Sequence, residues 1–188
     1  MSEEALTKAE EIIDGVLRES MGGLFGECSV DEDGTYRSQV THLGEVDGYV
    51  TLEAAIEKGF KEAYEYCVVH FHAAIAANVP EDALPDLMIA LGALNHTVNA
   101  GAYPGFGCYS YYDPLNRVYL TYRLPVNPED PAGAEGDVRY AVACIYEQLE
   151  AFEDYVMLTL TNPGMADMKQ YLDYLKEKEI AEKEAMNK

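Results

Sequence analysis

Two histidines at alternate positions are the residues whose type and spacing most resemble those of a metal site. His70 and His72 stand two residues apart in a segment with the alternating pattern of a β-strand, so both imidazoles should project from one face. Such a pair could supply two metal ligands, with the others coming from His42, His96 or a carboxylate. The alternative is a pair of half-exposed imidazoles on the open face of a sheet. Because no further ligand stands at a fixed spacing, we favour that alternative and expect no metal and no cofactor.

Other motifs that could carry chemistry are missing from the sequence or incomplete. Asp31, Asp33 and Gly34 resemble part of a calcium loop, but the other ligands and the closing Glu do not follow, so we expect a hairpin turn. Cys67 and His70 cannot form a dyad, because on a strand they point to opposite faces. The chain has no G-x-S-x-G elbow, no P-loop and no G-x-G-x-x-G that opens a helix after a strand. We therefore predict no catalytic residue and do not expect an enzyme.

The tyrosines are the most unusual feature of the composition, with 15 Tyr and no Trp in 188 residues. Tyrosine combines a large contact area with a polar tip and is enriched at protein interfaces. We predict that several tyrosines lie on the sheet face opposite the core and form a partner-binding surface with the two histidines. The predicted partner-binding residues are Tyr64, Tyr66, His70, His72, Tyr109, Tyr111 and Tyr119. The alternative is ordinary sheet packing, since tyrosine favours strands.

The net charge narrows the classes of partner. The chain has 13 Lys and Arg against 34 Asp and Glu, a formal net charge of −21, which repels phosphate backbones and anionic lipids. We therefore expect no nucleic acid and no membrane partner. A basic protein segment or a cation fits better, although the charge could serve solubility alone. The chain has no apolar run of roughly 18 residues, no signal-like N-terminus and no C-x-x-C pair, so we predict a cytoplasmic protein with reduced thiols.

Hydrophobic periodicity predicts the elements that would position these residues. The predicted helices span 3–20, 82–98, 137–160 and 165–185, and we expect Gly22-Gly23 to end the first of them. The predicted strands lie within 24–60, at 64–77, and in a hairpin of 106–112 with 117–124. Residues 53–61 could form a strand or a short helical turn, and residues 125–136 should form a loop. Runs of strands separated by single helices predict an α+β fold. We expect two layers, an antiparallel sheet with helices packed mainly on one face, plus an extra C-terminal helix.

Three segments carry a resemblance to a known family. Asn95 to Asn99 would end a helix, Gly105 to Tyr109 would open a strand with Gly and aromatic residues, and Arg117 to Pro125 would form the next strand. In this order they resemble the bacterial YbjN family, described as sensory transduction regulators, and the type III secretion chaperone-like fold that it shares. The resemblance implies a two-layer fold, dimerisation and, in the chaperone members, binding of a protein partner, with no catalytic residue. It places one such domain at 1–162 and a helical extension at 163–188.

Two functions remain open from the sequence. The first is a non-enzymatic protein-binding, chaperone-like or regulatory module that works as a homodimer and contacts a protein partner, itself or both. The alternative is a small-molecule or metal-binding protein, with enzymatic activity of an unrecognised type, that uses His70, His72 and the loop 125–136.

Overall fold

The computed structural model describes residues 3–41, 49–61, 64–99, 107–127, 129–162 and 164–186, which form four α-helices and one six-stranded sheet. The helices are α1 (Glu3–Phe25), α2 (Leu84–Asn99), α3 (Pro131–Thr161) and α4 (Met168–Met186). The strands are β1 (Ser29–Val30), β2 (Tyr36–Thr41), β3 (Tyr49–Lys61), β4 (Tyr64–Ala77), β5 (Cys108–Tyr112) and β6 (Arg117–Val126). Two single-turn 3₁₀ helices, Glu81–Ala83 and Asp113–Leu115, precede α2 and join β5 to β6.

The sheet is antiparallel between all neighbouring strands, in the order β1-β2-β3-β4-β6-β5. Its centre is the long pair of β3 and β4, so the prediction of a strand at 64–77 is confirmed, and 53–61 is strand rather than helical turn. The predicted hairpin turn after β1 is also confirmed: the Gly34 N–H donates to the Asp31 carbonyl at 3.0 Å, and Gly34 has a φ of +83°. Glycine tolerates this left-handed conformation without strain.

The helices cover one face of the sheet. Alternate residues of the central strands point towards them and are buried, among them Val50, Leu52, Val69, Phe71, Val118 and Leu120. Apolar stripes of α1, α2 and α3 close the other side of this single core, through residues such as Leu17, Leu91 and Ile145. Each large side chain removed from water contributes roughly 1.5–3 kcal/mol. The prediction of a two-layer α+β protein with helices mainly on one face is confirmed.

The first helix is longer than predicted. It continues through Gly22-Gly23 and ends at Phe25, because Gly26 takes a φ of +90° and stops the helical path. Phe25 is fully buried and meets the Tyr146 ring edge-on, with centroids 5.3 Å apart. Burial of this ring outweighs the poor helix propensity of two consecutive glycines.

The third helix starts earlier than predicted. The segment 125–136 is not wholly a loop: β6 runs to Val126, and α3 begins at Pro131. Asp130 is the N-cap, and its carboxylate accepts a hydrogen bond from the Gly133 N–H at 3.0 Å. Proline is favoured in the first turn, since its missing N–H would lack a helical partner there in any case. The proline therefore starts the helix, where we had expected it to belong to a loop.

The last helix packs on α3. Tyr171 of α4 is buried against Tyr155 of α3, with ring centroids 4.9 Å apart. The Tyr155 hydroxyl donates a hydrogen bond to the carbonyl of Ala166 at 2.6 Å and so fixes the segment that leads into α4. The division of the chain into 1–162 and 163–188 stays a prediction. None of the helices described is both long and apolar enough to cross a membrane.

Candidate functional site on the open sheet face

The sheet face turned away from the helices is not covered by any described element, and we call it the open face. It is built from the alternate residues of each strand that point away from the core. Its described residues are Ser29, Arg37, Gln39, Tyr49, Thr51, Glu53, Ala55, Glu57, Gly59, Val68, His70, His72, Ala74, Ala77, Cys108, Ser110, Tyr112, Arg117, Tyr119, Thr121, Arg123 and Pro125. None of them is buried, so no described element covers this face.

The predicted placement of Tyr109 and Tyr111 on the open face is wrong. Tyr109 stands opposite Leu120 and Tyr111 opposite Val118, so both side chains point towards the helices, and Tyr109 is only 2% exposed. Asn95 of α2 holds this arrangement, since its side chain accepts from the Tyr109 N–H at 2.7 Å and donates to the Tyr109 carbonyl at 2.9 Å. Alternation within a short strand shows which residues share a face but not which face is inward.

The other predicted tyrosines have different outcomes. Tyr119 lies on the open face, between Ala74 of β4 and Ser110 of β5, and is partly exposed. The backbone of Tyr64 and Tyr66 forms the start of β4, but their side chains lie outside the described part of the structure. The open face therefore carries fewer described tyrosines than predicted, and its character comes largely from charged and polar residues.

The histidine pair lies on the open face, as predicted. The His70 Nε2 atom is 2.7 Å from the Glu57 Oε2 atom, a hydrogen-bonded contact between neighbouring strands. His72 stands opposite Glu53 on one side and Thr121 on the other. Burial lowers the pKa of His72, and the nearby His70 and Arg123 lower it further, while Glu53 acts in the opposite direction.

The described residues do not bring together a metal site. No group of three or more His, Cys, Asp or Glu side chains among them is placed to hold an ion. His96 lies on α2, and His42 lies outside the described residues. Cys67 is buried on the core side of β4 while His70 lies on the open face, so the expectation that these two form no dyad is confirmed. Burial also raises the pKa of the Cys67 thiol, which disfavours the nucleophilic thiolate.

The open face differs in charge from the rest of the molecule. The chain has five arginines, Arg18, Arg37, Arg117, Arg123 and Arg139, and three of them lie on this face. Arg37 pairs with two carboxylates, Glu53 at 2.9 Å and Asp31 at 2.5 Å. Arg117 and Arg123 form no ion pair with any described residue. This acidic chain therefore has two arginines on its open sheet face that lack a carboxylate partner within the described part of the structure.

A pocket opens where β5 begins beside β6, with a volume of about 450 Å³. Its lining is His72, Gly107, Cys108, Thr121, Tyr122 and Arg123. Gly107 has a φ of +85°, and a Cβ at this position would overlap the carbonyl oxygen of Thr121. Only glycine lets the chain approach β6 this closely. Thr121 and Arg123 share one face of β6 with Tyr119, but neither was among the predicted site residues.

Comparison of the chain with protein-family models, with curated protein sequences and with solved structures finds no match. The resemblance to the YbjN family therefore stays a prediction.

Proposed function

We propose that the protein is a non-enzymatic protein-binding module that works as a homodimer, in which a second copy of the chain occupies the open face. The observation that carries this proposal is the uncovered face of a six-stranded sheet, on which no described residue is buried. An antiparallel sheet with helices on one side leaves its other face available for contact with another chain. The resemblance to chaperone-like dimers supports the same kind of module.

Charge supports a second copy as the occupant. The whole chain carries 34 acidic against 13 basic residues, so two copies repel each other across most of their surfaces. The open face is the exception, since it holds Arg37, Arg117 and Arg123 against Glu53 and Glu57. Contact through this face keeps the acidic helices of both copies on the outside. It also allows arginines of one copy to meet carboxylates of the other.

The size of the face is sufficient for a dimer. The six strands average about eight residues of about 3.3 Å each, and the five spacings between them are about 4.8 Å, so the sheet spans a flat area of about 600 Å². A specific interface of standard size buries about 800 Å² on each partner, and the lower limit is about 600 Å². Because the side chains project from the sheet, the accessible surface area of the face is larger than this flat area. The open face therefore reaches the size of a standard interface without help from the helices.

A charge placed in the middle of the face tests this proposal. Ala74 lies on β4 between Thr51 and Tyr119, and its side chain points outward, so Ala74→Glu should leave the fold intact. Size-exclusion chromatography with light scattering should give about twice the 20.8 kDa chain mass for the wild type at tens of micromolar. The Ala74→Glu variant should elute as a monomer, because the substitution buries an additional carboxylate of each copy in the middle of the contact.

The matched control is Ala132→Glu. Ala132 is exposed in the first turn of α3, away from the sheet face, and an acidic residue is favourable at that end of a helix. This variant adds the same charge and should remain a dimer. A wild-type protein that stays monomeric at tens of micromolar would refute the proposal. Equal dissociation of both variants would show that net charge, and not the open face, controls association.

A further inference from the structure

The pocket at the start of β5 brings together side chains from three neighbouring strands. His72 on β4, Thr121 on β6 and Cys108 on β5 stand in one row across the open face. Arg123 lies two residues further along β6, on the same face and opposite His70. Directly opposed residues in an antiparallel sheet have Cβ atoms about 5 Å apart, so these side chains can act on one bound group.

The lining is positively charged in a strongly acidic chain. Among the six described residues that line the pocket, Arg123 is the one that is fully charged, and none of the six is Asp or Glu. Arg37, on the same face, has two carboxylate partners, whereas Arg123 has none among the described residues. An arginine without a carboxylate keeps its planar fork of N–H donors available for an oxyanion.

The pocket also contains hydrogen-bond donors that do not depend on charge. The Thr121 hydroxyl makes only a long contact of 3.4 Å to the Cys108 carbonyl, so it can turn towards a ligand. The imidazole of His72 is exposed and can donate from either ring nitrogen when protonated. The nearby guanidinium of Arg123 disfavours that protonation, and an anion between the two groups would reverse the effect.

We propose that this pocket binds a small organic anion through an oxyanion group, a phosphate monoester or a carboxylate. Arg123 holds two oxygens of the group, and Thr121 and His72 donate hydrogen bonds to it. The volume of about 450 Å³ exceeds that of a bare oxyanion and lies within the range of metabolite pockets, so the ligand has an organic part. This site rests on the pocket and its charge and not on the proposed homodimer, although the pocket lies on the same open face.

Titration calorimetry with the full chain tests the site. The probes are phenyl phosphate, phenylacetate and inorganic phosphate, each at constant ionic strength set with chloride. At least one of the two aromatic probes should bind saturably and more tightly than inorganic phosphate, and the ranking of the two shows which oxyanion the site prefers. Binding should also move the ring resonances of His72 in an NMR titration towards the protonated form.

Two arginine variants separate a specific site from general charge. Arg123→Gln should weaken binding of the preferred probe at least tenfold. Arg117→Gln should change binding less than twofold, since Arg117 lies on the same strand and face but six residues away, at about 20 Å. Thr121→Val removes the hydroxyl at nearly constant volume and should weaken binding about threefold to tenfold, as expected for one lost hydrogen bond.

Three results would overturn the site. These are the absence of saturable binding by any probe, wild-type affinity in folded Arg123→Gln and Thr121→Val, and equal weakening by Arg117→Gln. Light scattering on the same samples keeps the two proposals apart. If the wild type is a monomer and binds an anion, only the homodimer proposal is refuted. If it is a dimer and binds no probe, only the anion-site proposal is refuted.

Discussion

The pH dependence of stability should reveal a buried carboxyl group in the third helix. Glu153 lies on α3 and is only 2% exposed, and its Oε2 atom has no hydrogen-bond partner in the described part of the chain. Burial raises the pKa of Glu153 from 4.5 to about 7, and the neighbouring Asp154 adds to the rise. A buried carboxylate without a partner is unfavourable, so the folded state keeps this group protonated.

The sign and size of the effect follow from linkage. Because the folded pKa is higher than the unfolded value, the folded state binds the proton more tightly. The stability gained in this way is fully present below about pH 4.5 and is lost as the pH rises through about 7. The whole window corresponds to about 3 kcal/mol. The chain has a pI of about 4.3, so measurements should start near pH 5.5, from where about 2 kcal/mol remains to be lost by about pH 8.5.

Glu153→Gln tests this reasoning, since glutamine has nearly the same shape and does not titrate. Urea denaturation followed by circular dichroism should show that the variant gains about 2 kcal/mol relative to the wild type between about pH 5.5 and pH 8.5. Comparison of the two proteins at each pH cancels the general effect of a net charge of −21. Glu150→Gln is the matched control, because it makes the same chemical change at an exposed position of the same helix. A difference between Glu153→Gln and the wild type that does not change with pH would refute a buried protonated carboxyl.

Two further variants test contacts that hold the helices in place. Tyr155→Phe removes the hydrogen bond to the Ala166 carbonyl and leaves that carbonyl unsatisfied, so urea denaturation should show a loss of about 1–2 kcal/mol, whereas Tyr112→Phe at an exposed site should change little. Asp130→Ala removes the N-cap of α3 and should cost about 1 kcal/mol by the same measurement, and Asp130→Asn, which can still accept from the Gly133 N–H, should restore most of it; equal losses would contradict the capping role.

Hydrophobic periodicity in the sequence predicted most of the helices and strands, and it predicted which residues of β4 lie on the open face. The alternation in 64–77 correctly separated the buried Cys67 and Val69 from His70 and His72, because this central strand is long enough to have one clearly apolar face. The same reasoning failed for β5, where five residues alternate but both sets are polar or aromatic. There the inward face was decided by the pairing with β6 and by Asn95, which is a tertiary contact that periodicity does not contain.

The candidate pocket could not be predicted from the sequence either, because it also depends on tertiary structure. Thr121 and Arg123 could be assigned to one face of β6 by alternation, but their proximity to His72 and Cys108 depends on strand order. In this sheet β6 lies between β4 and β5, although β4 and β5 are separated from each other by α2 along the chain. From the sequence, Gly107 was placed only as a residue of the predicted strand 106–112. Its role became clear from the close approach to the Thr121 carbonyl.

The charge of Arg123 must be accommodated both in the proposed homodimer and in the proposed anion site. If a second copy covered the open face and left this guanidinium without a counter-charge, the cost of removing it from water would be several kcal/mol. A stable dimer must therefore leave Arg123 in contact with water, place a carboxylate of the second copy beside it, or enclose an anion with it. In the last arrangement the anion favours the dimer and the dimer favours the anion by the same factor, since coupling between two binding events is reciprocal. Arg123 is thus the residue at which self-association and ligand binding of this chain would become linked.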